Sequence, residues 1–178
     1  ATWKTEQTQY QFSSATVSRL ENENKLLRQQ LGVQARTGYD LRLAKVFALR
    51  MDALADTILI DQGQAEGVQV GLAVVSAGNV LLGSVAEVYP HSALVWLLTD
   101  AHTQVSVKLP DGVVARARGN GSSELKLELI TNQESVQGDD LVVTSGLDRL
   151  PVGLLVGKVS RVELKGGNLF QSATLAPL

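Results

Sequence analysis

The spacing of apolar residues changes once along the chain, near residue 34. Before that point apolar residues recur at the three-and-four spacing of a helix, most clearly between Val17 and Leu31. After it they alternate with polar residues or form short runs, which is typical of β-strands. The pattern predicts one N-terminal helix followed by a chain that is mainly β.

The helical segment has the heptad pattern of a coiled coil. Its a and d positions are Val17, Leu20, Asn24, Leu27 and Leu31. An asparagine at an a position costs stability but fixes register and partner number, because its amide pairs best with another amide. Gly32 is typical of a helix end. We predict a coiled coil over residues 1–33 that dimerises through these five residues. The alternative is a helix that packs on its own β-region.

A linker at 34–41 precedes eleven segments with the alternation or length of strands. They are residues 42–51, 57–61, 73–76, 80–88, 93–98, 104–109, 113–118, 125–130, 141–144, 154–162 and 172–175. The clearest alternation runs from 104 to 130, where "PDG" and "GNGSS" supply the turns. This run predicts an antiparallel meander with Leu125, Leu127 and Leu129 on one face.

An internal repeat indicates two similar units. The sequence "VQVGLAVVSAG" at 68–78 aligns with "VQGDDLVVTSG" at 136–146, and "GSVAEV" at 83–88 aligns with "GKVSRV" at 157–162. Short strands between glycine turns, with no helices separating them, favour small barrels over a doubly wound fold. We predict one β-barrel from 42–70 plus 136–178 and a second from 71–135.

Composition excludes several classes of function. A net charge of -2 gives no field that attracts nucleic acid, and 4% aromatic residues argue against base stacking. The absence of cysteine excludes disulfides and thiolate metal sites. The basic residues Lys158, Arg161 and Lys165 are interspersed with Glu163, as on a solvated strand face. The sequence has no run of about 18 apolar residues, so we expect any membrane anchor to lie outside it.

Candidate catalytic and metal-binding residues do not form a recognised pattern. His91 and Asp100 lie nine positions apart, whereas the same pair in chymotrypsin is separated by about 45. Ser145 has a glycine on one side only, unlike a nucleophile elbow. His91 and His102 lack the ligand spacing of a metal site, and turn chemistry explains the acid pair at 139–140. We predict no catalytic residue, no metal and no cofactor.

Two features are candidates for contact with other proteins. Trp96, in "SALVWLL", is of a residue type favoured at interfaces, although a place in a barrel core is the favoured interpretation. Unpaired strand edges are the other candidate, because they can add strands from further copies.

The order of several short motifs resembles the MreC family of bacterial rod shape-determining proteins. The helix with "ENENKLLRQQL" leads into "TILIDQGQAEGVQVGLAVVS", and "GSVAEV", "SALVWLLTD", "VQGDDLVVTSGL" and "LPVGLLVGKVSRV" follow in that order. The resemblance covers nearly the whole chain from about Ser18. One departure is "GNVLLG" at 78–83, which stands where the family has a "GLVG" form and affects the expected loop detail.

The resemblance implies a function without catalysis. Members of the family are anchored by one membrane helix, followed by a coiled coil and two β-barrel subdomains on the outer side of the cytoplasmic membrane. They act as a scaffold for the machinery that elongates the cell wall. Implied partners are further copies of the chain, the elongation-specific penicillin-binding transpeptidase and an MreD-type membrane protein. Alternatives are a periplasmic adaptor of an efflux or secretion system, and a trypsin-like two-barrel hydrolase.

Overall fold

A computed structural model describes residues 19, 41–51, 55–131, 133–163 and 170–178. The chain divides into two units, 1–43 and 44–178. In the first unit Arg19 is helical and exposed, and residues 41–43 follow no regular structure. The five residues predicted to dimerise lie outside the described residues, so the coiled coil stays a prediction.

The second unit is mainly β, as predicted, and each of the eleven predicted strands is present, three with the predicted ends and the others with adjusted ends. The strands are β1 Val46–Met51, β2 Asp56–Ile60, β3 Ala73–Ser76, β4 Val80–Val88, β5 Ala93–Leu97, β6 Gln104–Lys108, β7 Val114–Gly119, β8 Leu125–Thr131, β9 Leu141–Thr144, β10 Leu155–Glu163 and β11 Phe170–Pro177. A short 3₁₀ helix, Gln64–Glu66, lies between β2 and β3.

Six strands close into a barrel. Around the ring the order is β10, β11, β8, β7, β6 and β9, and β9 pairs again with β10. The interior is packed with apolar side chains such as Val107, Leu127 and Leu175, which have no exposed surface. The ring joins residues 104–131 with 141–177, which the sequence division placed in separate barrels, because β11 returns to pair with β8.

The remaining five strands form an antiparallel sheet in the order β1, β2, β5, β4 and β3. One parallel pairing, between Leu155 of β10 and Val80 of β4, joins this sheet to the barrel. The sheet has its own small core, which contains Ile58, Ile60, Val85, Ala93 and Val95. Whether the sheet and the barrel correspond to two small barrel subdomains stays a prediction.

The internal repeat of the sequence is also a repeat of hydrogen bonds. Gly71 N–H donates to the Val85 carbonyl at 2.8 Å, and Val85 N–H donates to the Leu72 carbonyl at 2.9 Å. The aligned residues repeat both bonds. Asp139 N–H donates to the Val159 carbonyl at 2.8 Å, and Val159 N–H donates to the backbone carbonyl of Asp140 at 2.9 Å. The pair β3–β4 is therefore the local counterpart of β9–β10.

The predicted meander of β6, β7 and β8 is confirmed, with one exception. Val105 pairs with Ala117 and Val107 with Ala115, and all four are buried. Leu129 was predicted to share the buried face of Leu127, but it is half exposed and has a φ of 67°. The register between β8 and β11 shifts at this point, and the bulge places Ile130 in the core instead.

Candidate partner-binding surface

The strand β1 is an exposed apolar edge of the five-stranded sheet. Within the described ranges it pairs with β2 alone, and all six of its residues are exposed. Val46, Phe47, Leu49 and Met51 are between 55% and 63% exposed. Edge strands are usually protected by several charges, a proline or a covering segment, whereas β1 has one charge, Arg50, and no proline. Such an edge is a candidate for pairing with another polypeptide.

Two basic residues flank the apolar run of this edge. Lys45 and Arg50 lie within residues 44–51, which contain no acidic residue. The backbone N–H of Lys45 donates to Asp61 Oδ1 at 2.6 Å, and this bond holds the pKa of the Asp61 carboxyl below its ordinary value. The bond fixes the chain where it enters β1. The surface therefore combines apolar side chains with Lys45, Arg50 and the carboxylate of Asp61.

A shallow cavity of about 410 Å³ lies at the loops beside β3 and β4. Its lining residues are Gln64, Gly67, Val68, Gln69, Val70 and Val88. Glu66 shapes the neighbouring turn, because its Oε2 accepts a hydrogen bond from Gly63 N–H at 2.8 Å and its Oε1 lies 3.2 Å from His91 Nδ1. Both contacts lower the pKa of Glu66, the Gly63 bond more strongly. Three of the six lining residues are valines, so part of the cavity wall is apolar.

Trp96 lies on the surface of the central strand β5. The prediction that it fills a core is wrong, because the residue is 37% exposed and its ring stacks on the imidazole of His102 with centroids 5.6 Å apart. Trp96 pairs with Thr57 and Ser84, so its side chain lies on the face opposite Val95 and the small core. Trp96 is therefore accessible to a partner protein at this face of the sheet.

Beneath this aromatic pair lies the buried carboxylate of Asp100. Its Oδ2 accepts the backbone N–H of Asp56 at 2.8 Å, and its Oδ1 accepts that of His102 at 2.7 Å and faces His102 Nδ1 at 2.9 Å. Burial alone would raise the pKa of Asp100, but these hydrogen bonds hold the pKa below the ordinary value. Asp100 ties the start of β2 to the β5–β6 connection, which is a structural role.

The candidate catalytic residues are not brought together in the part of the chain that the structure describes. His91 faces Glu66 and His102 faces Asp100, while Ser145 Oγ donates to the Ser106 carbonyl at 3.0 Å. Ser145 therefore forms hydrogen bonds with backbone and has neither histidine as a partner. Over the same ranges, no three histidine or acidic side chains are grouped to hold a metal ion.

The predicted turn and the predicted charged face are confirmed where they are described. Asp139 has a φ of 71°, and Asp140 Oδ2 accepts Gln137 N–H at 2.9 Å, so the acid pair forms a turn. Lys158 and Arg161 are exposed on β10, and Lys158 Nζ lies 3.0 Å from Asp139 Oδ1. Lys165 lies outside the described residues.

Sequence reasoning missed the exposed edge at β1. The run from Val46 to Leu49 contains four successive apolar residues, and such a run is typical of a strand that is buried on both faces. The one indication of exposure is the spacing of Lys45 and Arg50 around that run.

No helix among the described residues is both long enough and apolar enough to cross a membrane.

The model of one protein family, described as "Rod shape-determining protein MreC, barrel core", matches residues 46–178. The chain is 32% identical over 165 residues to the cell shape-determining protein MreC of Haemophilus influenzae, an alignment that covers 91% of this chain and 47% of that protein. The chain thus spans about half the length of that curated relative.

Solved structures show the same fold. A structure of MreC from Listeria monocytogenes superposes with a TM-score of 0.78 at 30% identity, over 92% of this chain and 81% of that chain. A complex between penicillin-binding protein PBP2 and MreC from Helicobacter pylori contains a chain with a TM-score of 0.56 at 23% identity, over 67% of this chain and 74% of that one. At 23% identity the second likeness concerns the fold alone.

Proposed function

Since the chain belongs to the MreC family of rod shape-determining proteins, we propose that it is part of a non-enzymatic scaffold for cell-wall elongation that maintains the rod shape of a bacterium. The observation that carries this proposal is the match of residues 46–178 to the MreC family model, and the exposed apolar edge β1 offers one surface for a partner. A protein that acts by holding partners together needs such surfaces.

The proposed partners follow from the family. They are further copies of the chain, an elongation-specific penicillin-binding transpeptidase and an MreD-type membrane protein. A complex of a penicillin-binding protein with a protein of the same fold supports the second partner. Dimerisation is proposed to occur through the heptad residues Val17, Leu20, Asn24, Leu27 and Leu31.

The proposed location is the outer side of the cytoplasmic membrane, with a single membrane helix as the anchor of the full-length protein. The coiled coil would hold the β-region away from the membrane, where its partners synthesise peptidoglycan. The proposal retains two small β-barrels as the units presented to partners. The repeated hydrogen bonds of β3–β4 and β9–β10 support two related units.

Association with an elongation-type transpeptidase tests this function. Light scattering of the chain with the extracytoplasmic part of that enzyme should give a mixed complex at micromolar concentration, while a division-specific transpeptidase prepared in the same way serves as the control. Equal mixing with both enzymes, or with neither, would contradict the proposed specificity.

A further inference from the structure

The five-stranded sheet and the closed barrel have the same arrangement of strands. In the barrel, β7, β8, β11, β10 and β9 are neighbours in that order, and in the sheet β1, β2, β5, β4 and β3 are neighbours in that order. Each pair of counterparts has the same place in chain order, and every pairing within both series is antiparallel. The barrel has one additional strand, β6, which pairs with both β7 and β9.

One row of paired residues shows the consequence of that difference. The row Val159, Leu175, Leu125 and Gly119 in the barrel corresponds to Val85, Val95, Ile58 and Leu49 in the sheet. The first three positions are buried in both rows. At the fourth position Gly119 is buried, whereas Leu49 is 61% exposed. In the sheet, the inward side chain of Leu49 is therefore exposed, and it lies on the strand that would be next to a counterpart of β6.

The opposite edge of the sheet shows the same loss of burial. Val142 of β9 pairs with Gly157 and has no exposed surface. Its counterpart Val74 pairs with Gly83 and is only half-buried. In the barrel, β6 covers this region with Val105 and Val107, which lie between β7 and β9. Among the residues that the structure describes, the sheet thus ends at two edges, β1 and β3. Their inward apolar positions match those of a ring that lacks one strand.

From this correspondence we propose that the sheet is an open barrel that accepts, between β1 and β3, an extended segment of a partner protein as its sixth strand. By analogy with β6, the segment runs antiparallel to both edges and directs alternate apolar side chains toward Leu49 and Val74. Backbone hydrogen bonds supply affinity and the apolar positions supply specificity.

Charge identifies the chemistry of that segment. Lys45 and Arg50 lie at the β1 edge, with the Asp61 carboxylate against Lys45, whereas residues 68–80, which include β3, contain no charged side chain. An acidic segment is therefore favoured on the β1 side. A second copy of β1 is disfavoured, because it would bring like charges together across the new pair. This site goes beyond the proposed scaffold, which requires partner binding but no strand at this position.

The absence of cysteine from the chain allows a sensitive test. The full chain carries Ala48→Cys in β1, and a control chain carries Ser160→Cys in β10, a strand with neighbours on both sides. The probe is a synthetic peptide of residues 103–109 with Lys108→Glu, a glutamate added at each end, and Gln104→Cys activated as a mixed disulfide with thiopyridine. Gln104 is the residue of β6 that pairs with Arg118, the counterpart of Ala48. Thiolate attack forms the peptide disulfide and releases pyridine-2-thione, which reports the rate.

Strand addition should make the reaction of Ala48→Cys about tenfold faster than that of Ser160→Cys. Replacing both valines of the peptide with serine should remove most of that advantage, since the two side chains would no longer be buried. Arg50→Glu should slow the reaction about threefold at low salt, and Arg161→Glu should leave it unchanged. Equal rates for the two cysteine variants would overturn the proposal.

Hydrogen exchange of the trapped complex then distinguishes a sixth strand from simple edge pairing. Protection should rise in both Val46–Met51 and Ala73–Ser76, because the strand contacts both edges. Protection of β1 alone would overturn the open-barrel interpretation. Because the probe is a synthetic peptide, either negative result leaves transpeptidase binding, and with it the proposed function, standing.

Discussion

At the scale of single residues, Asp100 shows how a buried charge is tolerated. A carboxylate removed from water is costly unless hydrogen bonds compensate for its lost hydration. Asp100 is 1% exposed and receives two backbone N–H groups in addition to its contact with His102. The cluster joins the β5–β6 connection to β2, so we expect it to contribute to stability.

Asp100→Asn should lower the free energy of unfolding by about 2 to 4 kcal/mol at neutral pH. An asparagine presents one oxygen where the carboxylate presents two, so its amide group would face a backbone N–H. Urea unfolding measures the change. Asp111→Asn, in the exposed turn after β6, is the matched control and should change stability by less than about 0.5 kcal/mol.

Lowering the pH should reduce the difference in free energy of unfolding between the wild type and Asp100→Asn. Because the folded pKa of Asp100 is below its ordinary value, its stabilising contribution is present above about pH 4 and is lost as the pH falls through the folded pKa. The difference in free energy of unfolding between the two proteins should therefore be smaller at pH 2.5 than at pH 7, as measured by urea unfolding at each pH. An undiminished difference at pH 2.5 would show that the carboxylate charge is not the cause.

Single residues also mark where sequence reasoning fails. Alternation correctly placed Leu125 and Leu127 on one face, which is buried, because a paired strand directs alternate side chains to one face. It misplaced Leu129, since a bulge shifts the alternation by one residue and depends on the register with β11. Local sequence does not contain that register.

At the scale of elements, two glycines explain how the repeated strand pairs fit together. A Cβ on Gly83 would lie 1.9 Å from the carbonyl oxygen of Trp96, and one on Gly157 would lie 2.3 Å from that of Ala176. The two glycines align in the internal repeat, and each pairs with an aligned valine, Val74 or Val142. Both positions require close approach of the neighbouring strand.

Gly83→Ala and Gly157→Ala should each destabilise the protein by roughly 3 kcal/mol or more, because the contact is with backbone that cannot rotate away. Thermal unfolding of each variant measures the effect. Gly138→Ala is the control, since its Cβ meets nothing within 4 Å, and it should change stability by less than about 1 kcal/mol. Similar losses in all three variants would point to backbone entropy instead of close packing.

The elements themselves were largely predictable. Period-two alternation and turn residues located all eleven strands, because both are properties of adjacent residues. The exposure of β1 was not predictable, since its apolar run is the same as that of a buried strand. Exposure depends on which strands neighbour it, and that is decided by distant parts of the chain.

At the scale of the whole molecule, the sequence predicted barrels but not the strands that form the ring. The repeat indicated two units of similar local structure, and the repeated hydrogen bonds agree with it. The pairing of β8 with β11 joins segments about forty residues apart, such as Ile130 and Gln171. Such long-range pairings leave no mark in local periodicity.

At the same scale, the proposed coiled coil predicts that the oligomeric state depends on the heptad residues. A coiled coil buries its a and d side chains against a second chain, so Leu27→Gln would place an amide in that interface. The neighbouring residue Leu26 lies at a c position and offers the same substitution outside it. The pair Leu27→Gln and Leu26→Gln therefore separates loss of the interface from loss of helix propensity.

Light scattering across a concentration series should give twice the chain mass of 19.0 kDa for the wild type and for Leu26→Gln. Leu27→Gln should shift the average toward the monomer at the same concentration, and Leu20→Gln with Leu27→Gln should complete the shift, because about two heptads provide little reserve of stability. A mass unaffected by the double substitution would mean that the helix packs on its own β-region, and that any self-association arises from the strands.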